Sequence, residues 1–320
     1  MLTLKKSVVK PALQQKAVPS LLQPLKKKTL SKSTTPSRVA QPIIKIPTSF
    51  RPKVRSRHPS HSVLRTQLPL LPFKSVVRLG STTEVPDTLD KGGRRIECNS
   101  IESIKNSASK LRMKECFTKA LVKTAKWTRD RNQIGTEGLE YPIVAKSIFG
   151  SRGEGNTLLN TKEEYDLWTK GKDFNHYIFE KFHNYSLEFR LHISEEGCFY
   201  ACRKALKKDC PENLKWRHHD DTCVWYTEQN ADFRRPKNWD DIVADCVKAL
   251  KAVGADVLSF DVKVQGATTG KKSKEREYQD YILIECNSAS SMDNGKDEIS
   301  ICASKYIEEI PKILRRKALK

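Results

Sequence analysis

From about residue 72 onward, apolar positions recur along this chain with the period of either a strand or a helix. Alternation with a period of two predicts strands at residues 73–81, 141–149, 176–182, 187–193, 199–206, 258–264 and 281–288. Helical spacing predicts helices at residues 107–126, after the capping pair Thr161 and Glu164, and from Asn238 to Val253. The polar residues 207–230 predict a long loop. Strands and helices in this order indicate an α+β protein.

The first 71 residues have a different composition. Residues 1–70 contain fifteen Lys and Arg and no Asp or Glu, within a chain whose net charge is +21. Prolines recur there and the apolar pattern is weak, so we predict a disordered basic arm over residues 1–71. Such an arm suits attachment to nucleic acid or another polyanion. A solubilising extension and a mitochondrial presequence are the alternatives.

The nine cysteines include no C-x-x-C pair, which favours free thiols in a reducing, cytoplasmic compartment over a disulfide framework. One group resembles a metal cluster in composition, but its spacing fits no zinc pattern, so we expect ordinary core residues. That group is Cys198, Cys202, Cys210, His218, His219 and Cys223. The chain has no run of about eighteen apolar residues, so we predict no membrane span.

Oxygen-bearing side chains interrupt two apolar strands near the end of the chain. Asp261 lies in the strand predicted at residues 258–264, and Glu285 and Asn287 lie in the strand predicted at residues 281–288. Glu285 and Asn287 share a face because alternate residues of a strand point to the same side. Sets of oxygen donors suit Mg²⁺ held against substrate phosphates. These three residues therefore predict a metal site, against the simpler interpretation of solvated acids on ordinary strands.

A second pattern indicates phosphate binding. Lys146 lies near the end of an apolar strand, and the glycine-rich residues 150–156 follow it. Glycines let backbone N–H groups approach phosphate oxygens, and the lysine adds positive charge. Glu188 and Arg190 share a strand face, either as a plain ion pair or as contacts to a ribose and a phosphate. The glycine-rich loop is neither a Walker A motif nor a dinucleotide fingerprint.

Taken in this order, the segments resemble the ATP-grasp superfamily of carboxylate–amine ligases over about residues 105–310. The resemblance is to the branch with D-alanine–D-alanine ligases, glutathione synthetases and the ligase that adds glutamate to a ribosomal protein, and to uncharacterised phage proteins. It is carried by residues 109–112 (SKLR), 143–146 (IVAK), 179–182 (FEKF), 188–190 (EFR), 260–262 (FDV) and 283–288 (LIECNS). It implies two α+β lobes that clasp a nucleotide. The domains would be a reduced N-terminal lobe at 72–105, a small lobe at 106–182 and a large lobe at 183–320.

The resemblance also implies a role for individual residues. ATP would be held by Lys110 and Lys146 at the α- and β-phosphates, Ser151, Gly153 and Gly155 over the β- and γ-phosphates, Glu180, Lys181 and Phe182 at the adenine edge, and Glu188 at the ribose. Asp261, Glu285 and Asn287 would bind two Mg²⁺ ions, with Mn²⁺ as an alternative metal. Arg190 and Lys204 would stabilise the transferred phosphoryl group.

The implied reaction joins a carboxylate to an amine through an acyl phosphate, with release of ADP and phosphate. Two departures from the family leave the substrates open, although an acidic peptide or protein is one candidate. The N-terminal lobe is short, and residues 288–292 read SASSM where many relatives have a Pro-Gly turn. The alternative function is a nucleic-acid-binding or virion-associated protein that retains the scaffold without turnover, in a virion or a host cytoplasm.

Overall fold

The computed structural model describes residues 50–55, 62–67, 74–85, 95–150, 153, 155–218, 222–231, 233–266, 279–290 and 299–320. Residues 44–320 belong to one compact unit. Within these described ranges, no helix combines the length and the apolar character needed to cross a membrane. The cysteines are free thiols and most of them are buried, as the spacing predicts.

The larger of the two central sheets has five antiparallel strands. They are β9 (Leu187–Ser194), β10 (Gly197–Leu206), β11 (Cys223–Thr227), β12 (Val257–Val264) and β13 (Tyr281–Asn287), in the order β11-β10-β9-β12-β13. One face packs against α2 (Lys110–Lys119) and α4 (Trp239–Val253) through fully buried residues such as Phe189 and Phe260. Because strand residues alternate between faces, the polar residues of β9 and β12 lie on the opposite face. That polar face carries most of the predicted site.

The smaller sheet consists of β5 (Trp127–Thr128), β6 (Ile143–Ser147), β7 (Thr157–Leu159) and β8 (Tyr177–Lys181), in the order β5-β8-β6-β7. Its outer face packs against α3 (Lys162–Trp168) through a cluster of aromatic rings that includes Tyr165, Trp168 and Phe179. The helix begins as the capping pair predicts, because the Thr161 hydroxyl accepts a hydrogen bond from the backbone N–H of Glu164. The inner face holds Lys146 and Glu180.

A third sheet lies at the N-terminal side and contains β1 (Phe50–Arg55), β2 (Ser62–Gln67), β3 (Lys74–Leu79) and β4 (Arg95–Cys98). The chain then enters α1 (Ile101–Ala108). The C-terminal helix α5 (Ile299–Leu319) packs against β4 and covers one end of the polar face of the large sheet. There the Ser194 hydroxyl donates to the Glu309 carboxylate at 2.6 Å.

The predicted α+β class is confirmed, and several elements differ in detail. The helix predicted at 107–126 is shorter: residues 107 and 108 end α1, Ser109 has extended backbone and caps α2, and α2 ends at Lys119. The loop predicted at 207–230 contains the edge strand β11, whose five residues CVWYT are a short strand-like run within a polar segment. Strands β1 and β2, which pair with each other and with β3, lie within the arm predicted at 1–71. Residues 1–49 are outside the described residues.

Helix α2 contacts both of the predicted lobes. Residues 106–182 are the predicted small lobe, and α2 falls inside that range. In the structure, the apolar side chains Met113 and Phe117 of α2 join the core of the large sheet. The lysines of the same helix reach the small sheet, where Lys114 pairs with Glu180. Helix α2 therefore connects the two sheets.

Candidate functional site

The strand register brings the three predicted metal ligands onto one face of the large sheet. Asp261 of β12 lies directly opposite Glu285 of β13, and Ser259 lies opposite Asn287. Arg190 of β9 lies opposite Asp261 on its other side. Cross-strand partners have side chains on the same face of an antiparallel pair. The site is therefore formed by three neighbouring strands that are far apart in the sequence.

Cations already bind the carboxylate of Asp261. The Arg190 Nε and Nη2 donate to its two oxygens at 2.7 and 2.8 Å, and Lys204 Nζ donates at 3.3 Å. Burial raises the pKa of Asp261, but Arg190 and Lys204 outweigh that effect and hold the pKa below its usual range. Asp261 is thus a buried anion that orients both residues predicted to stabilise the phosphoryl group.

Glu285 and Asn287 have no such partners. Among the described residues, none forms a hydrogen bond or ion pair with the half-buried Glu285 carboxylate. The Asn287 amide nitrogen is buried without a hydrogen-bond partner. Across the same ranges, no group of three His, Cys, Asp or Glu residues could hold a metal ion by itself. The donor set of two carboxylates and one amide fits Mg²⁺, which keeps waters and takes further oxygens from phosphates.

A second row of charges lies beside the first on the same face. Lys204 Nζ donates to Glu188 Oε1 at 2.9 Å, and His218 Nδ1 lies 3.3 Å from Glu188 Oε2. Burial raises the pKa of Glu188, but Lys204 and His218 lower it more and keep the carboxylate ionised. The ring of Trp225 on β11 lies 5.1 Å from both Arg190 and Lys204, within range of a cation–π interaction. The cations of this face are therefore held in fixed positions.

The small sheet presents a buried charge cluster. Glu180 Oε2 accepts from Lys146 Nζ at 2.8 Å and lies 3.3 Å from Lys114 Nζ. Lys114 also donates to the Thr124 hydroxyl at 2.5 Å, and that hydroxyl donates to the Leu283 carbonyl of β13 at 2.7 Å. Burial lowers the pKa of Lys114 to about 8, although Glu180 opposes the change. The cluster thus connects the small sheet to the strand that carries Glu285.

Lys110 lies where the two sheets meet. Its Nζ donates to the Gly150 carbonyl at 2.7 Å, and its backbone N–H donates to the Ile148 carbonyl at 3.0 Å. Burial lowers the pKa of Lys110, while Glu285 raises it and Lys146 lowers it. Lys110 thus lies beside the loop that follows β6, on the same helix as Lys114, whose partner Thr124 donates to the Leu283 carbonyl of β13. The predicted phosphate-binding lysines and the strand that carries Glu285 and Asn287 therefore border one region, which we call the cleft.

The glycine-rich loop needs glycine at two positions. Gly153 and Gly155 have φ values of +72° and +75°, a region that other residues rarely adopt. A Cβ on Gly155 would also lie 3.1 Å from the Ser147 Cβ. Ser151, the third residue predicted in this loop, is outside the described residues. Backbone N–H groups of such a loop suit phosphate oxygens, which is consistent with the prediction for Gly153 and Gly155.

The residues predicted at the adenine edge have other contacts. The Lys181 backbone N–H donates to the Lys126 carbonyl at 2.9 Å, and that of Phe182 donates to the Pro142 carbonyl at 3.1 Å. The Lys181 side chain pairs with Glu140 on the surface. One oxygen of the buried Glu180 carboxylate, Oε1, has no hydrogen-bond partner. The exocyclic amine of adenine would be a suitable donor to Glu180 Oε1. No contact in the structure tests this pairing, so adenine recognition stays a prediction.

Sequence reasoning missed several residues of the cleft. Lys114 follows Lys110 by four positions, and this helical spacing on α2 could have signalled a second lysine on the same side. His218 lies in the segment predicted as a loop at 207–230, without an expected role at the site, and it contacts Glu188. Lys263 follows Asp261 by two positions and shares its face. His219 is outside the described residues.

No protein-family model matches the chain, and no curated protein matches it. Among solved structures, it is similar to D-alanine–D-alanine ligase from Bacillus anthracis, with 13% identity and a TM-score of 0.49 over 70% of this chain and 71% of that chain. It is also similar to the ATP-grasp ligase PsnB complexed with minimal precursor, with 15% identity and a TM-score of 0.46 over 68% of this chain and 64% of that chain.

A third similar structure is carboxyaminoimidazole ribonucleotide synthase from Aspergillus clavatus complexed with ATP, with 16% identity and a TM-score of 0.43 over 60% of this chain. The chain spans about half of that enzyme, 47% of its length. PsnB is an ATP-grasp ligase, and D-alanine–D-alanine ligases belong to the branch that the sequence resembles. At identities of 13–16% and TM-scores below 0.5, these likenesses carry no argument about the reaction.

Proposed function

We propose that this protein is an ATP-dependent ligase that joins a carboxylate to an amine through an acyl phosphate and releases ADP and phosphate. One observation carries the proposal. Lys114 of α2 lies 3.3 Å from Glu180 of the small sheet and donates to the Thr124 hydroxyl, which donates to the Leu283 carbonyl of β13, the strand that carries Glu285. Cations and oxygen donors in one buried cleft suit a metal-bound polyphosphate.

The residues of the cleft would divide the work of the reaction. Lys110 and Lys146 bind the phosphates nearest the nucleoside, as the family resemblance implies. Arg190 and Lys204 stabilise the negative charge that develops when the substrate carboxylate attacks the terminal phosphoryl group. Asp261 holds both cations in place before the nucleotide arrives, so little reorganisation is needed. Glu188 is proposed for the ribose, although in the free protein it contacts Lys204 and His218.

Asp261, Glu285 and Asn287 would hold Mg²⁺ through their side-chain oxygens, and the ion would supply positive charge that neutralises the phosphates. Among the described residues, the Glu285 carboxylate has no hydrogen-bond or ion-pair partner, whereas Asp261 would share its oxygens with Arg190 and Lys204. Exclusion of water from the polar face of the large sheet when the nucleotide is bound would protect an acyl phosphate from hydrolysis. The number of ions and the use of Mn²⁺ are part of the proposal.

The direct test is ADP formation that depends on an acceptor. The full chain is incubated with Mg-ATP and with pools of amino acids, peptides and acidic proteins, and ADP release is measured with a coupled assay. A pool that raises ADP release above the background of ATP alone supports the ligase, and mass spectrometry of that pool then identifies the product. The matched control is Glu285→Ala, which should form no acceptor-dependent ADP.

The alternative is a polyanion-binding protein that keeps the scaffold without turnover. The observation that favours it is the charge of residues 1–70, which contain fifteen cations and no acid. Absence of ADP with every pool, together with tight and salt-dependent binding of nucleic acid, would favour this alternative over the ligase. The phage resemblance and a virion location belong to this second proposal.

A further inference from the structure

Three consecutive residues of the β10–β11 connection lie across the cleft. The Trp216 carbonyl accepts a hydrogen bond from Lys263 Nζ at 3.0 Å, and His218 contacts Glu188. Between them, Arg217 Nη1 lies 3.7 Å from the position that a Cβ on Gly153 would take. Arg217 therefore extends from the large sheet to the glycine-rich loop of the small sheet. No motif of the sequence indicated a role for it.

Among the described residues, the guanidinium of Arg217 has no carboxylate partner. Its Nε is buried and has no hydrogen-bond partner. The ring of Trp216 lies 5.7 Å from the guanidinium. A half-buried guanidinium that lacks an anion loses hydration without compensation, which is unfavourable. Such an arrangement is expected where the anion is a ligand.

We propose that Arg217 binds the terminal phosphate of the nucleotide, beside Gly153 of the glycine-rich loop. This inference rests on the proposed function and adds a binding residue to it. A planar guanidinium donates two parallel hydrogen bonds to phosphate oxygens, while the neighbouring loop offers backbone N–H groups. Glu285 is the complementary case, because it is a half-buried carboxylate without a cation. A phosphate with bound metal would satisfy both charges at once.

The experiment is calorimetric titration of the full chain with three probes in the presence of Mg²⁺: a non-hydrolysable ATP analogue, ADP, and inorganic tripolyphosphate. The variants are Arg217→Gln, Arg217→Lys and the control Arg129→Gln, which removes an exposed arginine of the small lobe. We expect Arg217→Gln to lower the affinity for the ATP analogue by about 10- to 100-fold, which corresponds to the loss of a charge-assisted hydrogen bond. The affinity for ADP should fall less. Arg217→Lys should retain part of the affinity, and Arg129→Gln should match the wild type.

The outcomes separate the two proposals. Equal affinity of wild type and Arg217→Gln for the ATP analogue would overturn the inference and leave the ligase proposal standing. An equal loss of affinity for the ATP analogue and for ADP would also overturn the inference, because Arg217 would then not act on the terminal phosphate. If wild type binds tripolyphosphate through Arg217 but neither nucleotide, Arg217 is an anion-binding residue and the ATP proposal fails. If wild type binds none of the probes, both proposals fail.

Discussion

Replacing Glu180 by Gln tests whether the buried charge cluster of the small sheet is arranged as described. Glu180 is the anion that faces Lys146 at 2.8 Å and Lys114 at 3.3 Å. Glu180→Gln keeps the size of the side chain and removes its charge, which leaves two buried lysines without their partner. Removing one member of a buried ion pair costs about 3–5 kcal/mol because the remaining charge is uncompensated. We therefore expect the free energy of unfolding to fall by about that amount at pH 7.

The pKa of Lys114 gives this prediction a pH dependence. The pKa falls from 10.5 to about 8 even beside Glu180, so the charged lysine costs the folded state about 3 kcal/mol below pH 8. This cost is relieved as the pH rises from 8 towards 10.5, because the folded state then binds fewer protons than the unfolded state. Without Glu180 the pKa of Lys114 falls further, so the relief begins at lower pH. The difference in free energy of unfolding between wild type and Glu180→Gln should therefore become smaller from pH 7 to pH 9.5.

The assay is urea unfolding followed by circular dichroism at both pH values. The double variant Glu180→Gln/Lys114→Met should recover at least about 2 kcal/mol of the loss, because it also removes the unpaired lysine. The matched control is Glu140→Gln, which breaks the exposed pair with Lys181 and should leave the unfolding midpoint almost unchanged. The reasoning would be refuted if Glu180→Gln lowered the free energy of unfolding by less than about 1 kcal/mol. It would also be refuted if the difference from wild type did not change with pH.

Three further predictions concern the metal donors, a buried histidine and the basic arm. Glu285→Ala should lower acceptor-dependent ADP formation by more than about 100-fold without shifting the urea midpoint; turnover like that of wild type would remove its metal role. Burial lowers the pKa of His192 to about 3, so stability should fall by about 1.4 kcal/mol per pH unit from pH 6.5 to 4.5, because the unfolded state takes up a proton that the folded state excludes. That slope should persist in the control His176→Gln, and a flat profile would contradict it. Affinity for nucleic acid should fall by about 10³–10⁵ between 50 and 200 mM salt in filter binding, and deletion of residues 1–70 should reduce the slope; an unchanged slope would exclude the arm as the contact.

The sequence was sufficient for those features that depend on local spacing. The alternation around Asp261, Glu285 and Asn287 predicts strands, and the period of two puts Glu285 and Asn287 on a common face. The pairing of β12 with β13 then adds Asp261 to that face. The capping of α3 at Thr161 and the helix from Trp239 to Val253 are local in the same sense. Asn238 shows the limit of such reasoning. It occupies the predicted N-cap position of α4, but its side chain donates to the Gln279 carbonyl instead of capping the helix.

Tertiary structure alone decided which charges meet in the cleft. Arg190 and Asp261 are bidentate partners because β9 and β12 are neighbours in the sheet, although 71 positions separate them in the chain. Lys114 faces Glu180, and Arg217 reaches Gly153, through contacts between segments with no common periodicity. The physical reason is that hydrophobic period and capping act over a few residues. Strand pairing and loop position depend on how the whole chain buries its apolar surface.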